Sequence, residues 1–145
     1  MITKKELLMG RDVQFPKEYT KEISDNLDKL LLAINKVRKA YGKPMTVSSG
    51  WRPAAVNGRI ANAAVKSNHM LGLAVDISDP KGEVMAWILA NMKLIVACGL
   101  YIEDFRHTPT WVHFQIVAPK SGSRIFVPSS SPAPAPNRWD GKYTI

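Results

Sequence analysis

Residues 67–80 read Ser67-Asn68-His69-Met70-Leu71-Gly72-Leu73-Ala74-Val75-Asp76-Ile77-Ser78-Asp79-Pro80, and the reading of this stretch decides the fold. Leu73 to Ile77 is a short apolar run closed by Ser78-Asp79-Pro80, the pattern of a strand with a turn after it. One residue breaks its chemistry. Asp76 lies inside the run, and burying a carboxylate costs a great deal unless a counter-charge or a metal satisfies it. Side-chain alternation puts Ala74, Asp76 and Ser78 on one face of the strand.

Further strands are expected on both sides. Upstream, Met45-Thr46-Val47-Ser48 reads as a strand ended by Gly50-Trp51-Arg52-Pro53. Downstream, Leu100-Tyr101-Ile102-Glu103 and Trp111-Val112-His113-Phe114-Gln115-Ile116-Val117 read as a hairpin whose loop carries Thr108-Pro109-Thr110. Trp111, His113 and Gln115 share a face, and Arg124 to Val127 is a candidate edge strand. A capping box, Thr3-Lys4-Lys5-Glu6, opens a short helix that Gly10 can stop. Ile23, Leu27, Leu30, Ile34, Val37 and Tyr41 mark one face of a long helix ended by Gly42. Residues 54–66 suit a short helix or an ordered loop, and Glu83 to Ala97 reads as one apolar helix before Gly99. The strands are not regularly alternated with helices, so the expected class is α+β: a small antiparallel sheet packed against helices.

The chain of 145 residues fits one domain, expected over 1–127, followed by a Pro/Ser/Ala-rich tail at 128–145 that includes Trp139 and Tyr143. With 46% apolar residues it can fill a core. Its single cysteine, Cys98, excludes an internal disulfide and thiolate-rich zinc sites, so a zinc site here must use His and carboxylate. No stretch has the ~20 apolar residues of a membrane span, and the N-terminus lacks a signal peptide's apolar core. The expectation is a monomer made in the cytoplasm, without integral membrane association. A net charge of +8 suits a polyanionic environment or simply a solvated basic surface. Its basic residues are interleaved with acids, and no nucleic-acid-binding signature is present, so nucleic acid is not an expected partner.

A catalytic zinc takes three nitrogen or oxygen ligands and leaves a position open. His69, Asp76 and His113 would supply that set, although Asp76 could instead pair with an arginine. At this point the residues resemble a family. Ser67-x-His69-x-x-Gly72-x-Ala74-x-Asp76, followed by Trp111-x-His113 and preceded by Ser48-Ser49-Gly50-Trp51-Arg52, is similar to the LAS-type zinc peptidases. That group comprises D-alanyl-D-alanine carboxypeptidases and dipeptidases, phage L-alanyl-D-glutamate endopeptidases and the hedgehog zinc domain. The resemblance covers roughly residues 45–117 and implies Zn2+ held by His69, Asp76 and His113.

It also implies that Arg52 steadies substrate or developing negative charge, the alternative being that it braces a turn. Ser67 would support the site by hydrogen bonding, the alternative being a cap. Many members carry a Glu three residues before the last zinc histidine; here that position is Thr110, which cannot serve as a base at neutral pH. Hedgehog-like and some phage-like members place the acid at the end of the preceding strand. Glu103 occupies that place, Asp104 is the second candidate, and with neither the protein would be a zinc-binding pseudo-enzyme. Glu103 would move a proton from water to the leaving amine, help worth ~10²–10⁴-fold. His107 is a candidate hydrogen-bond donor or an ordinary loop residue. Trp51 and Trp111 would wall the cleft or fill the core. The implied substrate is the peptidoglycan stem peptide, cut by a phage- or prophage-type enzyme that reaches the wall after release or as a virion component. The competing reading is a non-catalytic zinc-binding module of a phage particle; charge-driven nucleic-acid binding ranks last.

Overall fold

The structure is a computed structural model that describes residues 1–60 and 67–127; part of the expected 54–66 segment and the whole expected tail lie outside the described residues. Helices α1 (Lys4–Leu8), α2 (Arg11–Gln14) and α3 (Lys21–Tyr41) come first, then β1 (Val47–Ser49) and α4 (Ala54–Asn57). A 3-10 turn (Asn68–Leu71) leads into β2 (Ala74–Ser78), followed by α5 (Glu83–Ala90), α6 (Met92–Ala97), β3 (Tyr101–Glu103), β4 (Trp111–Gln115) and β5 (Ile125–Phe126). The class is α+β as expected. The sheet, ordered β1-β2-β4-β3-β5, departs from the expected all-antiparallel form, because β5 pairs parallel to β3. The long connection through β4 and residues 116–124 brings the chain back along β3 in the same direction, which no local turn signal records.

Local chemistry explains most boundaries. The capping box at Thr3 and Glu6 is formed, and Thr20 caps α3 by accepting from the Ile23 amide. Gly42 ends α3 at φ 76°, a left-handed conformation that suits glycine. The expected single helix from Glu83 to Ala97 is two helices. Asn91 leaves the helical conformation at φ −130° and turns its side-chain amide back onto the Trp87 carbonyl at 2.8 Å. Such side-chain competition for backbone groups interrupts helices.

The sheet has one apolar face and one chemical face. Val75, Ile77, Ile102, Val112, Phe114 and Ile125 are fully buried and join Leu27, Leu30, Ile34 and Val37 of α3 and Ile88, Met92 and Ile95 of α5–α6 in one core cluster. Burial of each such side chain is worth roughly 1.5–3 kcal/mol. The opposite face carries the alternate residues: Ala74, Asp76 and Ser78 of β2, and Trp111, His113 and Gln115 of β4.

A candidate metal centre across the sheet

One row of residues runs across the strands. Ser49 is opposite Asp76, and Asp76 is opposite His113. Tyr101 and Ile102 pair with Gln115 and Phe114, so one step further along this register Glu103 stands opposite His113. Glu103 in turn lies beside Phe126, whose ring meets His113 edge-on at 6.1 Å. Ser49 reaches this face only because β1 carries a bulge between Val47 and Ser49. Without the extra residue Ser49 would follow Val47 onto the apolar face.

His69 enters from the 3-10 turn rather than from a strand. Ser67 caps that turn by accepting from the His69 amide at 3.2 Å, and Gly72 ends it at φ 74°. A side chain at Gly72 would meet the Ile23 carbonyl oxygen at 2.9 Å, so glycine is needed there for both reasons. Ser67 therefore acts here as a cap, one of the two roles its position suggests.

The histidine tautomers are fixed by carbonyl oxygens. His69 Nδ1 lies 2.9 Å from the Gly50 carbonyl oxygen, so its proton is there and Nε2 offers a lone pair. His113 Nε2 lies 2.8 Å from Gln115 Oε1, while the Gln115 amide nitrogen donates to the Val117 carbonyl at 2.7 Å. That second bond orients the amide, places the His113 proton on Nε2 and leaves Nδ1 as a lone pair. His69 Nε2 and His113 Nδ1 are then 3.3 Å and 2.9 Å from Asp76 Oδ1. Three electron-pair donors face one point, and the ligand atoms all lie within 4.8 Å of one another. Tetrahedral zinc with bonds of ~2.0–2.1 Å separates its ligands by about 3.3 Å, so the set fits the ion. Outer hydrogen bonds of this kind hold metal-binding histidines in place.

Charges are arranged around the same row. Burial pushes the Asp76 carboxyl up, yet His113 and His69, which donate to it once they take up a second proton, outweigh burial and hold the group well below the usual carboxylate range. Burial pushes His69 down. For His113 burial acts in the same sense, but the hydrogen bond to Asp76 and the charges of Asp76 and Glu103 carry it up. Burial raises the Glu103 carboxyl, with His113 partly opposing. Arg52, 9% exposed, donates from Nη2 to Asp76 Oδ2 at 3.2 Å and from Nε to Ser49 Oγ at 2.8 Å, and its other amino group faces Asn57 Oδ1 at 3.5 Å. The guanidinium thus braces the Asp76 carboxylate.

The remaining expected residues divide. Asp104 is fully buried just after β3, and its carboxylate is engaged by Arg106 through the backbone amide and Nε, each at 2.9 Å, and through Nη2. It shapes the turn after β3. His107 is exposed in that turn, and its charge is felt by Glu103. Trp111 pairs with Ser78, two residues along β4 from His113 and on the same face. Trp51 is fully buried, donates from its indole to the Met70 carbonyl at 3.0 Å and packs on Tyr19, so it belongs to the core and walls no cleft. Thr110 is exposed and uses its carbonyl to accept from Asp79. Gln115, Ser49, Asn57 and the Gly50 carbonyl carry supporting contacts that were not expected as such. Gln115 had a sequence signal in its shared face with His113, and Ser49 and Gly50 lay inside the motif ending in Arg52 without a role assigned to either.

A family model described as Peptidase M15 matches residues 9–115, a span that includes His69, Asp76, Glu103 and His113. Neither the curated proteins nor the solved structures give a match.

Proposed function

This chain belongs to the peptidase M15 family of zinc peptidases, and on that premise we propose that it hydrolyses peptide bonds of bacterial peptidoglycan with Glu103 as general base. Zinc is the cofactor, and the His69–Asp76–His113 cluster fits it. When bound, the ion supplies a Lewis acid that acidifies water and polarises the scissile carbonyl. The observation that carries the reading is the row Asp76–His113–Glu103, which sets a carboxylate with a raised pKa immediately beside two ligands. Glu103 takes a proton from the attacking water and returns it to the leaving amine; a base whose pKa moves toward the working pH does this best. Arg52 holds Asp76 in orientation and adds positive potential where the tetrahedral oxyanion develops. The bond is of the D-Ala-D-Ala carboxypeptidase or L-Ala-D-Glu endopeptidase type. A phage or prophage origin, with action on the wall after release, accords with the compact domain and the +8 charge, which favours an anionic wall.

The test is digestion of purified peptidoglycan by zinc-loaded wild type and Glu103→Ala, with products read by mass spectrometry. Cleavage by wild type alone, with zinc content equal in both proteins, is the expected result. Thr110, at the place where many similar peptidases carry their acid, favours a second reading, a zinc-binding module without catalysis. Intact peptidoglycan after treatment with zinc-loaded wild type would establish that reading instead.

A further inference from the structure

The next row of the chemical face ends in a cation. Ala74 pairs with Gln115 and Gln115 with Tyr101. On the far side of β3 the Ile102 amide donates to the Arg124 carbonyl, and Ile102 is level with Ile125. Arg124 therefore stands beside Tyr101, two residues from Phe126 and on the same face as His113 and Glu103. Its guanidinium lies 4.0 Å from the centre of the Tyr101 ring, and Nη1 donates to the Leu100 carbonyl at 2.9 Å. Both side chains are half-buried, and among the described residues no carboxylate forms an ion pair with Arg124. Two strand residues span roughly 7 Å, so this cation is two residues of an extended peptide away from the Glu103–His113 row. A guanidinium held over an aromatic ring, with donors left over, suits two-point capture of a carboxylate.

We propose that Tyr101 and Arg124 form a carboxylate-binding subsite beside the metal centre, which selects acidic peptides; this rests on the peptidase reading above. The carboxylate is either a side-chain-type group of the stem peptide or its C-terminus. The test uses zinc-loaded Glu103→Gln protein, which holds substrate without turnover, titrated calorimetrically with an alanyl-glutamyl stem peptide and its two mono-carboxamides. One carboxamide is at the glutamate and the other at the C-terminus. One of them is expected to bind about tenfold more weakly than the free acid or worse, which identifies the carboxylate. Adding Arg124→Ala should abolish that difference between acid and amide. Arg124→Gln, which keeps packing on Tyr101 without the charge, gives the same comparison where truncation unfolds the domain. Equal weakening of acid and amides by the Arg124 variants, or no binding of any peptide to the Glu103→Gln parent, overturns the subsite. Wild-type hydrolysis of the free acid is scored separately. Hydrolysis without coupling leaves the peptidase and removes the subsite, and coupling without hydrolysis does the reverse.

Discussion

Glu103 is a carboxylate whose ionised form the protein disfavours, because burial outweighs the pull of His113. Two consequences can be measured. Glu103→Gln is expected to lower peptide hydrolysis by ~10²–10⁴-fold while zinc stays bound; activity near wild type would remove Glu103 from the mechanism. In the metal-free protein the folded pKa lies above the unfolded one. The group's relative stabilisation is therefore complete below the unfolded pKa and lost as pH rises through the folded one. Metal-free Glu103→Gln should then gain on wild type as pH rises from acid to neutral in chemical denaturation; a constant difference would show that burial does not govern the group. Gln115 acts through His113, so Gln115→Leu should weaken zinc binding about 10–100-fold in a chelator competition. At this scale the cluster of His69, Asp76 and His113 was legible, since a carboxylate in an apolar strand and two histidines in strong motifs are conspicuous. Gln115 showed only as a face-mate of His113. Ser49 and Gly50 lay inside the motif ending in Arg52, but their contacts could not be read from it, because one depends on a bulge and the other is made by backbone.

Among the elements, the approach of α1 to the loop after β1 fixes His69. Gly50 offers its carbonyl to the His69 ring, and the next amide, Trp51, donates to the Leu7 carbonyl at 2.8 Å. A Cβ at Gly50 would lie 2.0 Å from that Leu7 oxygen, with backbone on both sides and nothing flexible to yield. Gly50→Ala is therefore expected to destabilise by ~3 kcal/mol in urea unfolding, the upper range for overpacking. Gly58→Ala, whose Cβ meets only the Ala54 oxygen at 3.4 Å in a right-handed backbone, should change stability by less than about 1 kcal/mol. Similar values for both would mean that the α1 contact does not hold the loop. The helices with caps and periodic apolar faces, and the β3–β4 hairpin, were legible from local pattern. The division at Asn91 and the parallel β5 were not, since the first turns on one rotamer and the second on a distant return of the chain.

For the molecule as a whole, zinc held by the His69–Asp76–His113 cluster would be a ligand of the folded state alone, because these residues meet only when the sheet is formed. At free zinc about 1,000 times its dissociation constant the gain is ~4 kcal/mol. For a chain of this size that raises the melting temperature by roughly 10 °C. Scanning calorimetry with zinc and then with excess chelator checks it; a melting temperature indifferent to both would mean that the three donors hold no ion. The strand order has a further consequence for how the protein is made. β4 lies between β2 and β3 in space but leaves the ribosome after both. Until it inserts, no strand joins β2 to β3, so Asp76 and Glu103 are not brought into one row and His113 is not in place. The nascent chain thus carries a topological safety catch: the candidate centre cannot assemble before the strand that bridges the two halves of the sheet has been made.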